Sequence, residues 1–337
     1  MAVNFKSPKE ATLYDWMLLA MIVAMGGSSF ALIHNALESM PPAAIAVGRL
    51  WVGAIFLYII MRHAGRRFPP LFQRIDGRLR LRRSWGSMIA VGASGYVLPF
   101  FLFPWAQQCV ESGLAGIYMA FMPIWTLALA FFFAGEPVSR RKLVGFAMGF
   151  VGVIILMGPE VLNGAAQSDM RAQAGLLLAT FLYAASTIYA RRAAPIRPRV
   201  FAAGVVLSGT VIATPALLFI DLASSQWTTS AIFSVIGLGI GPTGLAAVLI
   251  IMLIRRTGAG FMSLANYVTP LWAVAVGALI FSERLEPNAF IALAAILAGV
   301  AVAQRAPKWQ RSMKIAATTG EEPGASMSTG DSTHRKI

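Results

Sequence analysis

Long apolar stretches, separated by short polar connections, make up most of this chain. A helix needs about 20 apolar residues to cross a bilayer. Ten stretches approach that length, at residues 14–34, 43–62, 85–108, 112–134, 142–158, 172–190, 200–220, 230–254, 258–281 and 288–304. The pattern predicts an all-α polytopic membrane protein with ten transmembrane helices.

The second five stretches repeat the first five. The segment from Gly113 to Trp125 aligns without a gap with the segment from Gly260 to Trp272, at a constant shift of 147 residues. The same shift matches further residues of uncommon type, pairing Pro123 with Pro270, Glu136 with Glu283, and Gly152 with Gly299. Because each half has an odd number of spans, the halves enter the membrane with opposite orientation. We therefore expect two inverted five-helix repeats around a central cavity.

Composition and charge agree with a membrane protein and set its orientation. The chain is 57% hydrophobic and only 12% charged, where soluble domains have about 25% charged residues. The net charge of +14 would suggest nucleic acid in a soluble protein, but here the basic residues lie between spans. Lys and Arg collect on the cytoplasmic side of membrane proteins, and one orientation places all of them there except Arg49, Arg171 and Arg284. We expect a bacterial inner-membrane protein with both termini in the cytoplasm and no nucleic-acid partner.

This orientation divides the chain into four parts. We expect a cytoplasmic amino terminus at 1–13, a first repeat at 14–158, a second repeat at 172–304 and a cytoplasmic tail at 305–337. The tail is rich in Ser, Thr, Gly and charge, a composition typical of disorder. The basic loop from Arg62 to Arg83 either lies along the inner membrane surface, where anionic headgroups attract cations, or is simply solvated.

The landmarks of the two halves resemble a known family. They are Gly27 to Phe30, Pro41-Pro42 and Arg49, followed in each half by Pro-(Ile/Leu)-Trp, a glutamate and a glycine-containing closing helix. Together they are similar to the EamA branch of the drug/metabolite transporter superfamily over residues 14 to 304, and within it to aromatic amino-acid exporters. Gly26 departs from the pattern, because a tryptophan often precedes the first-span glycine. The resemblance implies ten helices around a central cavity, with export as the usual activity.

Polar and aromatic residues near mid-depth are the candidates for substrate binding. Each could equally join helices, since hydroxyl and aromatic side chains also do so in lipid. The candidates are Ser28, Ser29, Tyr96, Tyr118, Trp125, Tyr183, Ser186, Thr187, Asn266, Tyr267 and Trp272.

Arg49 is the one charge clearly inside a span, about 10 Å below the outer surface at 1.5 Å per residue. An intramembrane arginine is costly and must pair or snorkel. It either staples the outer side through headgroups, Glu38 or helix-end carbonyls, or binds a substrate carboxylate.

Prolines inside the spans are candidate hinges. A mid-helix proline removes a backbone hydrogen bond and clashes with the preceding turn, so Pro123 and Pro270 predict kinks near the middle of the fourth and ninth spans. They are either static kinks or hinges for alternating access, with Pro99 and Pro242 cooperating on the third and eighth spans.

The chemistry of the chain favours transport over catalysis. No HExxH, GxSxG or phosphate-loop motif is present, no His/Cys cluster has metal-ligand spacing, and no Asp or Glu lies near the centre of a span. We expect no catalytic residue, no metal and no cofactor. The sequence therefore favours a monomeric secondary transporter that exports small neutral organic solutes, above all aromatic and other apolar amino acids. The alternatives are an exporter of drugs or other metabolites and, further off, a membrane-embedded enzyme or channel.

Overall fold

The described part of the chain is helical apart from one short hairpin. The computed structural model describes residues 11–75, 78–134, 140–157, 167–191, 193, 196–221, 226–257, 259–262 and 264–304. The helices up to residue 157 are α1 (Leu13–Leu37), α2 (Pro42–His63), α3 (Arg83–Gly92), α4 (Leu98–Ala106), α5 (Ser112–Met119), α6 (Met122–Ala134) and α7 (Arg140–Met157). Those after it are α8 (Gln167–Arg191), α9 (Pro198–Ala213), α10 (Thr229–Leu238), α11 (Ala246–Thr257), α12 (Ala259–Met262), α13 (Ala265–Phe281) and α14 (Pro287–Gln304).

Seven of the predicted spans coincide with helices long and apolar enough to cross a membrane. These run over Leu13–Leu37, Pro42–His63, Arg83–Ala106, Ser112–Leu129, Met170–Ala190, Pro198–Phe219 and Thr229–Ile254. Three shorter apolar helices, Leu143–Ile155, Val268–Phe281 and Pro287–Val302, coincide with the other three predicted spans. The prediction of a helical, multi-pass membrane protein is confirmed.

A β-hairpin joins α2 to α3, where the sequence indicated only a basic loop. Strand β1 (Phe72–Ile75) pairs antiparallel with β2 (Arg78–Leu81), with Phe72 opposite Leu81. The alternation of apolar and basic residues over so short a segment is a weak strand signal, and the run of arginines obscured it.

A stretch of π-helix interrupts the third and eighth predicted spans. One π segment, Ala93–Val97, joins α3 to α4, and the other, Gly239–Leu245, joins α10 to α11. At the shift of 147 residues, Ala93–Val97 falls within the second segment. π segments are rare, appear as single turns and occur often at functional sites, so the duplication extends to local backbone geometry.

Contacts between the halves also come in matched pairs. A Cβ placed on Gly92 would lie 2.7 Å from the carbonyl oxygen of Val205, and one placed on Gly239 would lie 3.0 Å from that of Arg49. Gly239 is the repeat equivalent of Gly92, and Arg49 and Val205 hold the same place after the prolines that begin α2 and α9. Only glycine permits so close a backbone approach at these two crossings.

Helices α7 and α14 cross in the same reciprocal way. A Cβ on Gly152 would lie 3.0 Å from the carbonyl oxygen of Ala292, and one on Gly299 would lie 2.6 Å from that of Gly145. Gly152 and Gly145 are the repeat equivalents of Gly299 and Ala292. The crossing is therefore nearly unchanged when the two halves are exchanged.

Candidate functional site

A cavity of about 610 Å³ lies between α3, α8, α9 and α11. Binding pockets for small molecules typically have volumes of about 300–1,000 Å³. Three of its lining residues were predicted from the sequence, namely Tyr96, Ser186 and Thr187, and its other walls are apolar. The apolar and backbone lining comes from Val91, Ala190, Ala193, Ile196, Pro198, Phe201, Ala202, Val205, Ala247, Ile250 and Ile251.

The two α8 hydroxyls in the cavity present lone pairs rather than protons. Ser186 Oγ donates to the carbonyl oxygen of Tyr183 at 2.8 Å, and Thr187 Oγ1 donates to the same oxygen at 2.9 Å. Because each hydroxyl proton is engaged within α8, the remaining capacity of both oxygens is to accept. This wall of the cavity therefore suits a donor such as an ammonium or amide N–H.

Arg49 lies buried beside the same region. Its Nε donates to Thr243 Oγ1 at 3.2 Å, and its guanidinium carbon lies 3.7 Å above the centre of the Phe100 ring. The Thr243 hydroxyl in turn donates to the carbonyl oxygen of Leu238 at 2.8 Å. No Asp or Glu among the described residues lies within ion-pair distance of Arg49, and 5% of the residue is exposed.

Arg49 connects the two π segments. Thr243 lies in the second segment, while the Phe100 ring beneath the guanidinium also packs edge-on against the ring of Tyr96 in the first segment, with 5.4 Å between ring centres. Tyr96 and Thr243 are repeat equivalents. Since Tyr96 also lines the cavity, its ring lies between the cavity and the surroundings of the Arg49 guanidinium.

The other predicted binding residues serve mainly in packing or in local bonds. Trp272 Nε1 donates to Ser28 Oγ at 2.9 Å, while Ser29 Oγ donates to the carbonyl of Gly26, in its own helix. Fully buried Tyr118 donates to Gln173 Oε1 at 2.7 Å.

Aromatic contacts and exposure account for the rest of the predicted residues. Trp125 packs edge-on between Phe121 and Phe181, and Tyr183 packs against Phe103. Asn266 is exposed, and the side chain of Tyr267 lies outside the described residues.

The prolines mark helix interruptions in only three of four places. The fourth predicted span breaks after Met119 and resumes as α6, where Pro123 is the second residue. Pro99 directly follows the first π segment, and Pro242 lies inside the second. Pro270, in contrast, lies within the unbroken helix α13, and the ninth span is interrupted before Ala265. The hinge role of all four remains a prediction.

A carboxylate binds the start of α5, an arrangement that we call the α5 latch. Glu283 Oε1 accepts from the backbone N–H and the hydroxyl of Ser112 at 2.8 and 2.6 Å, and Oε2 accepts from Gly113 N–H at 2.8 Å. Glu283 follows Ser282, whose left-handed backbone (φ 56°) ends α13. Helix starts carry unsatisfied N–H groups and partial positive charge, so the latch joins the two halves at this end.

Electrostatics at the latch involve a second carboxyl group. Burial, together with the nearby Glu283 carboxylate, raises the pKa of Glu111, while His34 opposes that shift. The equivalent glutamate of the first half, Glu136, lies outside the described residues.

An ion pair joins the first helix to α11. Arg256 Nε donates to Asp15 Oδ1 at 2.5 Å, and Asp15 also accepts from the hydroxyl of Thr12. The hydrogen bond with Asp15 raises the pKa of Arg256. In the orientation predicted from the sequence, this pair lies at the cytoplasmic end and the α5 latch at the outer end.

Several residues of the site gave no usable sequence signal. Phe201, Val205, Ile250 and Ile251 line the cavity, but apolar residues in apolar spans look alike whether they face lipid or a cavity. The partners of Arg49, Thr243 and Phe100, are distant in sequence. The sequence showed that Glu283 and Glu136 are equivalent in the repeat, but it did not show that Glu283 binds the start of α5.

Comparisons with known proteins identify related sequences and folds. The family described as "EamA-like transporter family" matches residues 14–158 and 170–304. The "Uncharacterized inner membrane transporter YedA" of Escherichia coli (strain K12) is 24% identical over 81% of this chain and 85% of its own length. The "Probable terminal-alkyne amino-acid exporter" of Streptantibioticus cattleyicolor is 24% identical over 86% of this chain and 93% of its own. A crystal structure of another protein, at 20% identity, covers 88% of this chain and 98% of its own with a TM-score of 0.61, which shows a shared fold.

Proposed function

This chain belongs to the EamA-like transporter family, and from that premise we propose that it exports small neutral amino acids, aromatic and other apolar ones above all, across the bacterial inner membrane by alternating access. It is a multi-pass membrane transporter, and its relatives include an inner membrane transporter. A relative named as an amino-acid exporter supports the proposed substrate class.

The cavity is the observation that carries the proposal. Its two acceptor hydroxyls, Ser186 and Thr187, suit the ammonium group of an amino acid, and its apolar walls, including Phe201, suit an aromatic or aliphatic side chain. A pocket with mostly apolar lining and a few placed polar groups is typical of small-molecule sites.

Arg49 is the proposed anchor for the substrate carboxylate. A buried guanidinium without a counter-ion is costly. Among the described residues, the guanidinium contacts the neutral side chains of Thr243 and Phe100. Guanidinium binds carboxylate through two parallel hydrogen bonds. A zwitterion with its ammonium near Thr187 and its carboxylate toward Tyr96 and Arg49 would supply the missing negative charge.

Ten spans in two inverted repeats, 14–158 and 172–304, form the proposed architecture. The reciprocal crossings of Gly92 with α9 and Gly239 with α2 support it, as does the repetition of the π segments at the same shift. Ten spans place both termini on the same side of the membrane, and the distribution of Lys and Arg assigns that side to the cytoplasm.

The α5 latch gives alternating access a physical basis. The cavity lies toward the end of the bundle where residues 192–197 connect α8 to α9, the end assigned to the cytoplasm. The latch holds Glu283 against α5 at the other end. We expect Glu283 to release α5 when the carrier opens outward, with Pro123, Pro270, Pro99 and Pro242 as hinges.

A solute panel tests the proposed substrate. Liposomes that contain the purified protein are loaded, in separate samples, with aromatic or aliphatic amino acids, with the corresponding decarboxylated amines, or with unrelated drugs. We expect saturable transport of the amino acids by the unmodified protein. In a Thr187→Val variant we expect their KM to rise about tenfold, because a hydrogen bond to a charged group contributes about 1.5–3 kcal/mol. Thr126→Val is the control, since the Thr126 hydroxyl donates to the carbonyl of Met122 in its own helix and to no other of the described residues.

Arg49 is tested on the same panel. Arg49→Lys keeps the charge but loses the planar fork, so we expect weaker transport of amino acids relative to their decarboxylated amines. Thr243→Val removes the Nε partner and measures the packing role separately. Equal effects of Arg49→Lys on acids and amines would assign Arg49 to packing, and transport of drugs but no amino acid would replace the proposed substrate class.

A further inference from the structure

The connection between α2 and α3 is a two-faced, arginine-rich hairpin. We propose that β1–β2 is a binding surface for anionic phospholipid headgroups of the inner leaflet, with one face against the lipid chains. This inference concerns the connection between spans and does not depend on which solute is carried.

The strand register separates the side chains onto two faces. Residues directly opposite in an antiparallel pair share a face, and neighbours along a strand alternate. Phe72 pairs with Leu81 and Arg74 with Leu79, so three of these four residues on the first face are apolar. The second face carries Gln73 opposite Arg80 and Ile75 opposite Arg78.

The apolar face is uncovered within the described chain. Leu79 is 73% exposed, Phe72 54% and Leu81 43%. An isolated two-stranded hairpin is at best marginally stable in water, and exposed apolar clusters usually mark an interaction surface. The hairpin therefore needs an apolar surface beside it.

The base of the hairpin is fixed at the depth of the membrane interface. The Phe68 ring lies 6.1 Å from the Tyr58 ring and 5.5 Å from the Trp85 ring. Trp85 Nε1 donates to the carbonyl oxygen of Pro69 at 3.0 Å. Tyr and Trp at helix ends typically lie at the headgroup level, so the strands begin within a few residues of the lipid boundary.

Charge identifies which lipids the hairpin would bind. The segment from Arg62 to Arg83 contains eight arginines and one acidic residue, Asp76. Arginines near an anionic surface each contribute about 1 kcal/mol, or roughly a fivefold change in affinity. A soluble polyanion would satisfy the arginines but leave Phe72, Leu79 and Leu81 in water, whereas an anionic bilayer accommodates both faces.

The test places a probe on each face. In the full chain with Cys109→Ser, Leu79→Cys and Gln73→Cys are labelled separately with an environment-sensitive fluorophore, in nanodiscs of phosphatidylcholine alone or mixed equally with phosphatidylglycerol. We expect tail-brominated lipid to quench the probe at 79 but not at 73, and phosphatidylglycerol to increase that quenching. Equal accessibility of both probes to aqueous iodide in anionic nanodiscs would overturn the proposal.

Substitution of two hairpin arginines tests the preference for anionic headgroups. The double variant Arg78→Gln/Arg80→Gln, which removes both arginines of the second face, should weaken phosphatidylglycerol binding about fivefold for each arginine removed. The control, Arg140→Gln/Arg141→Gln, removes two exposed arginines at the start of α7, outside the hairpin, and should cause a clearly smaller loss. Equal losses of phosphatidylglycerol affinity in both variants would contradict a specific role of the hairpin and indicate general positive charge. Shielding of the probe at residue 79 only on addition of tRNA would assign the surface to a soluble polyanion.

Discussion

Glu283 makes three charge-assisted hydrogen bonds to the first residues of a helix from the other half of the chain. Gln at this position would keep one acceptor oxygen but turn an NH₂ group toward backbone N–H donors. We expect Glu283→Gln to open the outer side, because hydrogen bonds to charged groups contribute about 1.5–3 kcal/mol each. A cysteine at 187, in a Cys109→Ser background, should then react roughly tenfold faster with an impermeant maleimide added from the periplasmic side.

Glu286 provides the matched control for the latch. It lies close to Glu283 in the same connection and is exposed, and within the described part of the chain its one hydrogen bond is from Ala289 N–H to its backbone carbonyl. Glu286→Gln should leave labelling at 187 unchanged. Unaltered labelling in Glu283→Gln as well would mean that the latch does not hold the outer side closed.

Residue identities predicted the lining of the cavity only in part. Tyr96, Ser186 and Thr187 were named from their polarity at mid-depth, and all three line the cavity. Ser29 and Tyr118 carried the same signal but bond within the packed bundle. Residue type reports that a side chain is polar in lipid, while the helix face it occupies depends on packing between distant segments.

At the scale of helices, the close approaches of Gly92 and Gly239 make a sharp prediction. A methyl group on Gly92 would meet backbone atoms of Val205 and Gly209 at 2.7 and 3.0 Å, which cannot move aside as a flexible side chain can. Gly92→Ala should therefore destabilise the protein by about 1–3 kcal/mol, the usual cost of overpacking. Thermal unfolding in detergent measures it.

Gly86 lies in the same helix and serves as the control. Apart from its chain neighbours and its own helix backbone, no atom of the described residues lies within 4 Å of a Cβ placed there. Gly86→Ala should therefore be neutral or slightly stabilising, since alanine favours helix. Gly239→Ala should behave as Gly92→Ala does if the crossings are equivalent. A neutral Gly92→Ala would show that α3 and α9 separate without cost.

Elements were more predictable than contacts. Apolar length and the shift of 147 residues were sufficient to locate helices at all ten predicted spans, because crossing lipid forces backbone hydrogen bonds to close within each segment. The β-hairpin was missed, and so were the π segments, because a π turn depends on one extra residue accommodated by neighbouring helices. The kinks and hinges at Pro123 and Pro270 stay predictions: the fourth span is interrupted just before Pro123, and Pro270 lies inside helix α13.

At the scale of the whole molecule, orientation is directly measurable. Reporters fused after Arg74 and after Gln304 should behave as cytoplasmic, and those fused after Ser39, Asn163 or Glu286 as periplasmic, because the basic connections remain inside. Fusion activity of alkaline phosphatase and green fluorescent protein distinguishes the two sides. A cytoplasmic signal at Asn163 would contradict an odd number of spans in the first half.

The driving force follows from what the spans contain. No Asp or Glu lies near the centre of a predicted span, and proton-coupled carriers generally use a titratable group within the membrane. The carrier is therefore expected to move its substrate down the substrate's own gradient.

Counterflow of a labelled aromatic amino acid in liposomes tests the central claim, alternating access to an amino-acid site, most directly. We predict saturable uptake that unlabelled amino acid on the opposite side accelerates, with little change when a pH gradient is collapsed. Linear flux without acceleration from the opposite side would contradict the account, and so would concentrative uptake that an imposed pH gradient drives and an uncoupler abolishes.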